Sequence, residues 1–70
     1  MTYEETAIMT LLRSSPKAYL ARREIARKAL QRQKFEEDPN WADAPLVSLV
    51  YQGLVEQDEG GHYRIKEQAG

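Results

Sequence analysis

The spacing of the apolar residues changes in the last third of the chain, on either side of Gly53. Before the glycine, Leu46 and Leu49 lie three positions apart, as on one face of an α-helix. After it, the apolar residues follow a strand-like pattern that ends in Tyr63 and Ile65. A glycine suits this junction because it lets the chain turn from one period to the other. The segment therefore predicts a helix that ends near Gly53 and a β-hairpin that follows it.

The remaining sequence predicts two further helices and one short strand. Thr2 stands three positions before Glu5, which is the spacing of a capping box at a helix start. A three-residue strand needs partners, and the hairpin can supply them. The expected elements are helices over about residues 3–13, 22–33 and 44–52, strands over about 18–20, 54–58 and 62–66, an acidic loop over 35–43 and a turn at 59–61.

The length of 70 residues predicts a single domain over residues 1–70, frayed at residues 67–70. A chain this short buries only about 60 % of its unfolded surface, which leaves little room for an enclosed catalytic pocket. It has no cysteine, and a lone histidine, His62, cannot by itself form a metal cluster. No nucleophile, base and orienting group stand together. We therefore expect a domain that is not an enzyme and uses no cofactor or metal.

The sequence carries no signal for a membrane or for secretion. No apolar run approaches the roughly 20 residues that a membrane-spanning helix needs. The first five residues, Met-Thr-Tyr-Glu-Glu, lack the basic start of a signal peptide. We therefore expect a soluble, intracellular protein of the cytoplasm.

Charge is distributed unevenly along a chain whose formal net charge is −1. Residues 17–34 carry seven basic side chains and one acidic side chain, a balance of +6, whereas residues 35–59 carry seven acidic side chains and no Lys or Arg. Such asymmetry indicates either an oriented interaction with a partner or two faces that meet in the fold. An ordinary solvated surface of mixed charge is the alternative.

The order of helix, short strand, helix, helix and hairpin resembles the winged helix-turn-helix family over nearly the whole chain. The stretch from Leu46 to Ile65 is similar to the end of a recognition helix and its wing, and Tyr19 to Ala26 is similar to the first strand and second helix of the family. The resemblance implies an α+β fold with a three-helix core, a short first strand and a C-terminal hairpin wing. It also implies a small DNA-binding module of the kind found in transcription regulation.

Several polar residues are candidate nucleic-acid contacts. Arg22 and Arg23 stand at the expected start of the second helix, which favours anions, and Arg27 lies one turn further on, so these arginines are candidate phosphate contacts. The resemblance implies that outward residues of the third helix face base edges, and these are Ser48, Tyr51 and Gln52. It also implies that wing residues can reach a minor groove, and these are His62 and Arg64. For the arginines and the wing residues, the alternative is an ordinary solvated surface.

The third helix departs from the pattern of a DNA reader. It contains no basic residue, Asp43 at its start would repel phosphate, and the loop before it is long and acidic. Many winged helices bind proteins instead. The alternative function is therefore a winged-helix module for protein–protein interaction or homodimerisation, without DNA binding.

The alternative function requires an exposed apolar surface with an acidic rim. Its centre would be formed by Tyr51 with Val47 or Trp41, and its rim by Glu36, Glu37 and Asp43. Packing in the core is the competing interpretation for Trp41 and Val47. The burial of the three large side chains distinguishes the two interpretations.

Overall fold

The computed structural model describes residues 1–66, which form four helices and one three-stranded antiparallel sheet. The elements in chain order are α1 (Tyr3–Ser14), β1 (Leu20–Ala21), α2 (Arg22–Lys28), α3 (Arg32–Glu37), α4 (Asp43–Tyr51), β2 (Val55–Gln57) and β3 (His62–Ile65). The predicted α+β class is confirmed, although the fourth helix, α3, was not expected. The predicted fraying of residues 67–70 lies outside the described residues.

Helix α1 begins at the capping box that the sequence predicts. The Thr2 hydroxyl accepts a hydrogen bond from the Glu5 amide at 3.1 Å, and Glu5 Oε1 accepts one from the Thr2 amide at 2.8 Å. These bonds satisfy two amide groups that a helix start leaves free. The apolar side of α1 is buried in the core through Ile8, Met9 and Leu12.

The prediction of one continuous helix over residues 22–33 is wrong, because α2 ends at Lys28 and a second short helix, α3, follows. On a helix continued to residue 35, Leu30 and Phe35 would lie about 140° apart around the axis and could not both face the core. The break allows both Leu30 and Phe35 to pack against the core. Tertiary packing thus overrides a local sequence that favours helix throughout.

The segment between α3 and α4 is anchored by Trp41, which is only 5 % exposed. Its indole Nε1 donates a buried hydrogen bond to the carbonyl oxygen of Ala26 in α2, at 2.8 Å. Its backbone amide donates to the carbonyl oxygen of Asp38 at 3.1 Å. The acidic loop expected over residues 35–43 is therefore shorter than predicted, since α3 occupies its first part, and its tryptophan belongs to the core.

Helix α4 ends as the change of spacing predicts. Gly53 has a φ of +79°, its amide donates to the Val50 carbonyl, and the Leu54 amide donates to the Leu49 carbonyl. This pair of bonds is a Schellman motif, in which the glycine adopts the left-handed conformation that other residues avoid. The chain therefore leaves the helix and enters β2 within four residues.

The hairpin formed by β2 and β3 packs against the helices and completes the core. The strand order is β1-β3-β2, and the register pairs Tyr63 of β3 with Leu20 on one side and Gln57 on the other. The buried apolar side chains are Ile8, Met9, Leu12, Ile25, Ala26, Trp41, Ala42, Leu46, Leu49, Val55 and Tyr63. Within residues 1–66, no helix has the length and apolar character that crossing a bilayer requires.

The fully buried Leu49 side chain tests the role of α4 in this core. Replacing it with alanine leaves a cavity, so we expect Leu49→Ala to lower the free energy of unfolding by about 2–5 kcal/mol in urea denaturation. Val47→Ala, on the exposed side of the same helix, should change it by no more than about 0.5 kcal/mol. Equal losses in the two variants would contradict this packing.

Candidate functional site

A buried carboxylate, that of Glu5, links α1 to the polar side of α4. The Glu5 residue is 6 % exposed to solvent. Its Oε2 atom accepts hydrogen bonds from Ser48 Oγ at 2.7 Å and from Gln52 Nε2 at 3.0 Å. Gln52 Nε2 also lies 3.0 Å from Ser48 Oγ. We call Thr2, Glu5, Ser48 and Gln52 the Glu5 network.

The Glu5 network keeps its carboxylate charged. The hydrogen bond from the Thr2 backbone and that from the Ser48 hydroxyl lower the pKa of Glu5 to about 2, against the burial, which alone would raise it. The donors are neutral groups, so the negative charge is stabilised by hydrogen bonds. At neutral pH the polar groups of Ser48 and Gln52 therefore face an ionised acceptor.

This network affects two of the three residues expected to face base edges. Ser48 is half-buried, and the side-chain amide of the exposed Gln52 is bonded to Glu5 and Ser48. Contacting a base through either group would leave hydrogen bonds of a buried charge unmade, which is costly. Tyr51 differs, because it is 92 % exposed. Base contact by these residues stays a prediction, and two of them have a structural role.

The three arginines expected on phosphates have different surroundings. Arg22 and Arg23 line one open groove, whereas Arg27 lines another, where its guanidinium lies 5.5 Å from the ring centroid of Phe35. Arg22 Nε lies 3.1 Å from Asp43 Oδ1 and so joins the start of α2 to the start of α4. This ion pair connects the basic and acidic segments of the chain. Arg22 and Arg23, which are neighbours in the sequence, therefore share a groove that Arg27 does not line.

The groove of Arg22 and Arg23 runs beside the tip of the hairpin. Gly60 and Gly61 line its other side, and the exposed Asp58 and Glu59 directly precede them in the turn. Carboxylates at this turn oppose the approach of a phosphate group. Arg22 is already paired with Asp43, which reduces its availability to a nucleic-acid backbone.

The wing residues are engaged by their neighbours on the hairpin. Arg64 Nε donates to Glu56 Oε1 at 2.8 Å, and the Arg64 guanidinium lies 4.4 Å from the ring centroid of Tyr19. The hydrogen bond from Arg64 lowers the pKa of Glu56, and burial raises the pKa of Tyr19. His62 is exposed, and its Nδ1 lies 3.7 Å from Asp58 Oδ1. Arg64, a candidate for minor-groove contact, is thus half-buried in an ion pair with Glu56.

The outward side of α4 is apolar. Val47 is 68 % exposed and Tyr51 is 92 % exposed, and Ala44, one turn before Val47, is also exposed. These three positions fall within about 60° around the helix axis. We call Ala44, Val47 and Tyr51 the α4 face. The part of the expected apolar centre assigned to Trp41 is absent, because that side chain is in the core.

The expected acidic rim is reduced to one residue on α4, Asp43. Glu36 accepts a hydrogen bond from Arg32 at 3.1 Å, and Glu37 accepts one from Gln33 at 3.0 Å. Both bonds run along α3, between residues four positions apart. The α4 face is therefore an apolar surface with little net charge of its own.

No family model, no curated protein and no solved structure matches the chain. Among residues 1–66, no group of three or more His, Cys, Asp or Glu side chains could hold a metal ion.

The pH dependence of stability tests the Glu5 network. Because folding lowers the pKa of Glu5 from 4.5 to about 2, the charged network stabilises the fold fully above about pH 4.5, and this contribution is lost as the pH falls toward 2. We expect Glu5→Gln to flatten the decline of unfolding free energy over this interval, measured by urea denaturation. The control is Glu59→Gln in the exposed turn, which should retain the wild-type slope. An unchanged slope in Glu5→Gln would contradict the network.

Proposed function

We propose that the chain is a winged-helix module that binds protein through the α4 face. The order of α1, β1, α2, α4 and the β2–β3 hairpin supports the winged-helix assignment, with α3 as an additional short helix between the second helix and the recognition helix. In this assignment α4 is the recognition helix. Its outward residues therefore decide which class of partner the module takes.

The exposure of Tyr51 and Val47 carries the proposal. The small core buries large apolar side chains at nine other positions. Val47 and Tyr51, in contrast, lie one helical turn apart and are exposed to solvent. Tyrosine is enriched at protein interfaces, where its ring supplies contact area with little loss of conformational entropy. An exposed tyrosine beside an exposed valine is the composition of an interface centre.

Charge supports protein over nucleic acid as the partner. Duplex binding depends on several Lys or Arg contacts to phosphates. Helix α4 has no Lys or Arg and begins with Asp43. Arg22 is paired with that aspartate, and Arg64 is paired with Glu56. Two of the arginines that would attract a duplex, Arg22 and Arg64, are thus engaged within the fold.

Site-specific photo-crosslinking in the native host tests the proposal. A benzophenone amino acid at position 51 crosslinks to partners of the α4 face. A second one, at the exposed position 57, crosslinks to partners of the groove lined by Arg22 and Arg23. We expect position 51 to give protease-sensitive adducts, because that side chain contacts protein. Position 57 should give no nuclease-sensitive adduct.

Two results would contradict the proposal. One is a nuclease-sensitive adduct at position 51 or 57, which would favour the DNA-binding function that the resemblance implies. The other is an absence of protein adducts at position 51 beyond the level found at position 33, an exposed site on α3. If a nuclease-sensitive adduct forms, the double variant Arg22→Glu, Arg23→Glu should abolish it, which would identify a contact between these arginines and a duplex.

A further inference from the structure

The order of side chains along the α4 face is self-complementary. A small residue, Ala44, lies one turn before Val47, and a large one, Tyr51, lies one turn after it. Along an α-helix these steps measure about 4.5 and 6 Å. A surface with a small side chain at one end and a large one at the other fits a copy of itself when that copy is turned end to end.

We infer that the partner of the α4 face is a second copy of this chain, bound through a two-fold axis near Val47 with the two α4 helices antiparallel. This inference rests on the proposed function and names the partner of that surface. In this arrangement the Tyr51 ring of each copy covers Ala44 of the other, where the single methyl group lets the ring approach the backbone. Val47 packs against its own counterpart at the axis.

The position of the one charged residue of α4 fits the antiparallel orientation. Asp43 is the one charged residue of α4 and lies at its start, so antiparallel helices hold the two aspartates at opposite ends, about 12 Å apart along the axis. Parallel helices would instead bring the two Arg22–Asp43 ion pairs side by side. The antiparallel arrangement also places the Tyr51 hydroxyl level with Asp43 of the other copy, where it can donate to the partly exposed carboxylate.

The reduction of the acidic rim of the α4 face to Asp43 favours a second copy of the chain over a basic partner. Glu36 and Glu37, expected to form that rim, are hydrogen-bonded along α3. Ser48 and Gln52, which flank the face, are bonded to Glu5. The face therefore presents apolar surface bordered by satisfied polar groups, and a matching apolar surface complements it best.

The size of the face makes the dimer weak. A standard interface buries about 800 Å² on each partner, and three side chains on a nine-residue helix supply less. The dimer should therefore dissociate on dilution within the range of protein concentrations used for sedimentation. A strong, permanent dimer is not what this surface predicts.

Sedimentation equilibrium of the purified chain, from about 10 μM to 1 mM, tests self-association over affinities typical of weak contacts. We expect a monomer–dimer equilibrium in wild type that Tyr51→Ala weakens at least tenfold, as truncation of a central aromatic does. Tyr3→Ala on α1 is the matched control, because Tyr3 is 76 % exposed outside the face. It should leave the equilibrium unchanged.

Disulfide trapping tests the geometry, since the chain has no cysteine of its own. Val47→Cys should form a disulfide dimer faster than Ala44→Cys, because antiparallel pairing separates the two positions 44 by about 9 Å along the axis. Mixing Ala44→Cys with Tyr51→Cys should give the mixed disulfide. Faster trapping of Ala44→Cys than of Val47→Cys would overturn the antiparallel arrangement.

A wild-type chain that is monomeric throughout the concentration range overturns the second copy as partner. If position 51 still crosslinks to a different protein in the host, the proposed function stands and only this inference fails. If it crosslinks to no protein, both fail. Concentration-dependent dimers that Tyr51→Ala and Tyr3→Ala weaken equally would overturn the assignment of the contact to α4.

Discussion

The arrangement of this small fold depends on one buried carboxylate. An ionised Glu5 shielded from solvent is tolerable only when its oxygens receive hydrogen bonds. The Thr2 amide supplies one from the start of α1, and Ser48 and Gln52 supply two from α4. Helix α4, the recognition helix in the proposed assignment, thus uses its polar residues to hold α1. Its remaining outward residues are apolar, and the proposed protein contact follows from that division.

The parts of the fold that the sequence predicted have local causes. The capping box at Thr2 and Glu5 fixes the start of α1, and the glycine at position 53 fixes the end of α4, because both depend on bonds between residues a few positions apart. The break between α2 and α3 has no such local signal. Residues 22–37 contain neither Gly nor Pro, and the break serves contacts of Leu30 and Phe35 with the distant core.

The candidate site, like the fold, was predictable only where its cause is local in the sequence. Helical spacing identified Tyr51 as outward-facing, and the structure confirms its exposure. The same spacing placed Ser48 and Gln52 outward, but their acceptor lies more than forty residues away in the sequence. Their four-residue separation, on the side of α4 next to α1, was the available signal that they act together. The ring contact of Arg64 with Tyr19 is likewise a product of strand pairing, which residue types alone do not reveal.

The carboxyl pKa of Glu5 is the most direct measure of whether Ser48 and Gln52 are held within the fold. It can be read from the side-chain carboxyl carbon by NMR titration of the uniformly labelled chain between about pH 1.5 and 6, the interval that spans its folded and ordinary values. We expect a midpoint at about 2, and a higher midpoint in Ser48→Ala, which lacks one of the donors. A wild-type midpoint near 4.5 would mean that the network does not form, and that Ser48 and Gln52 are free to contact a partner.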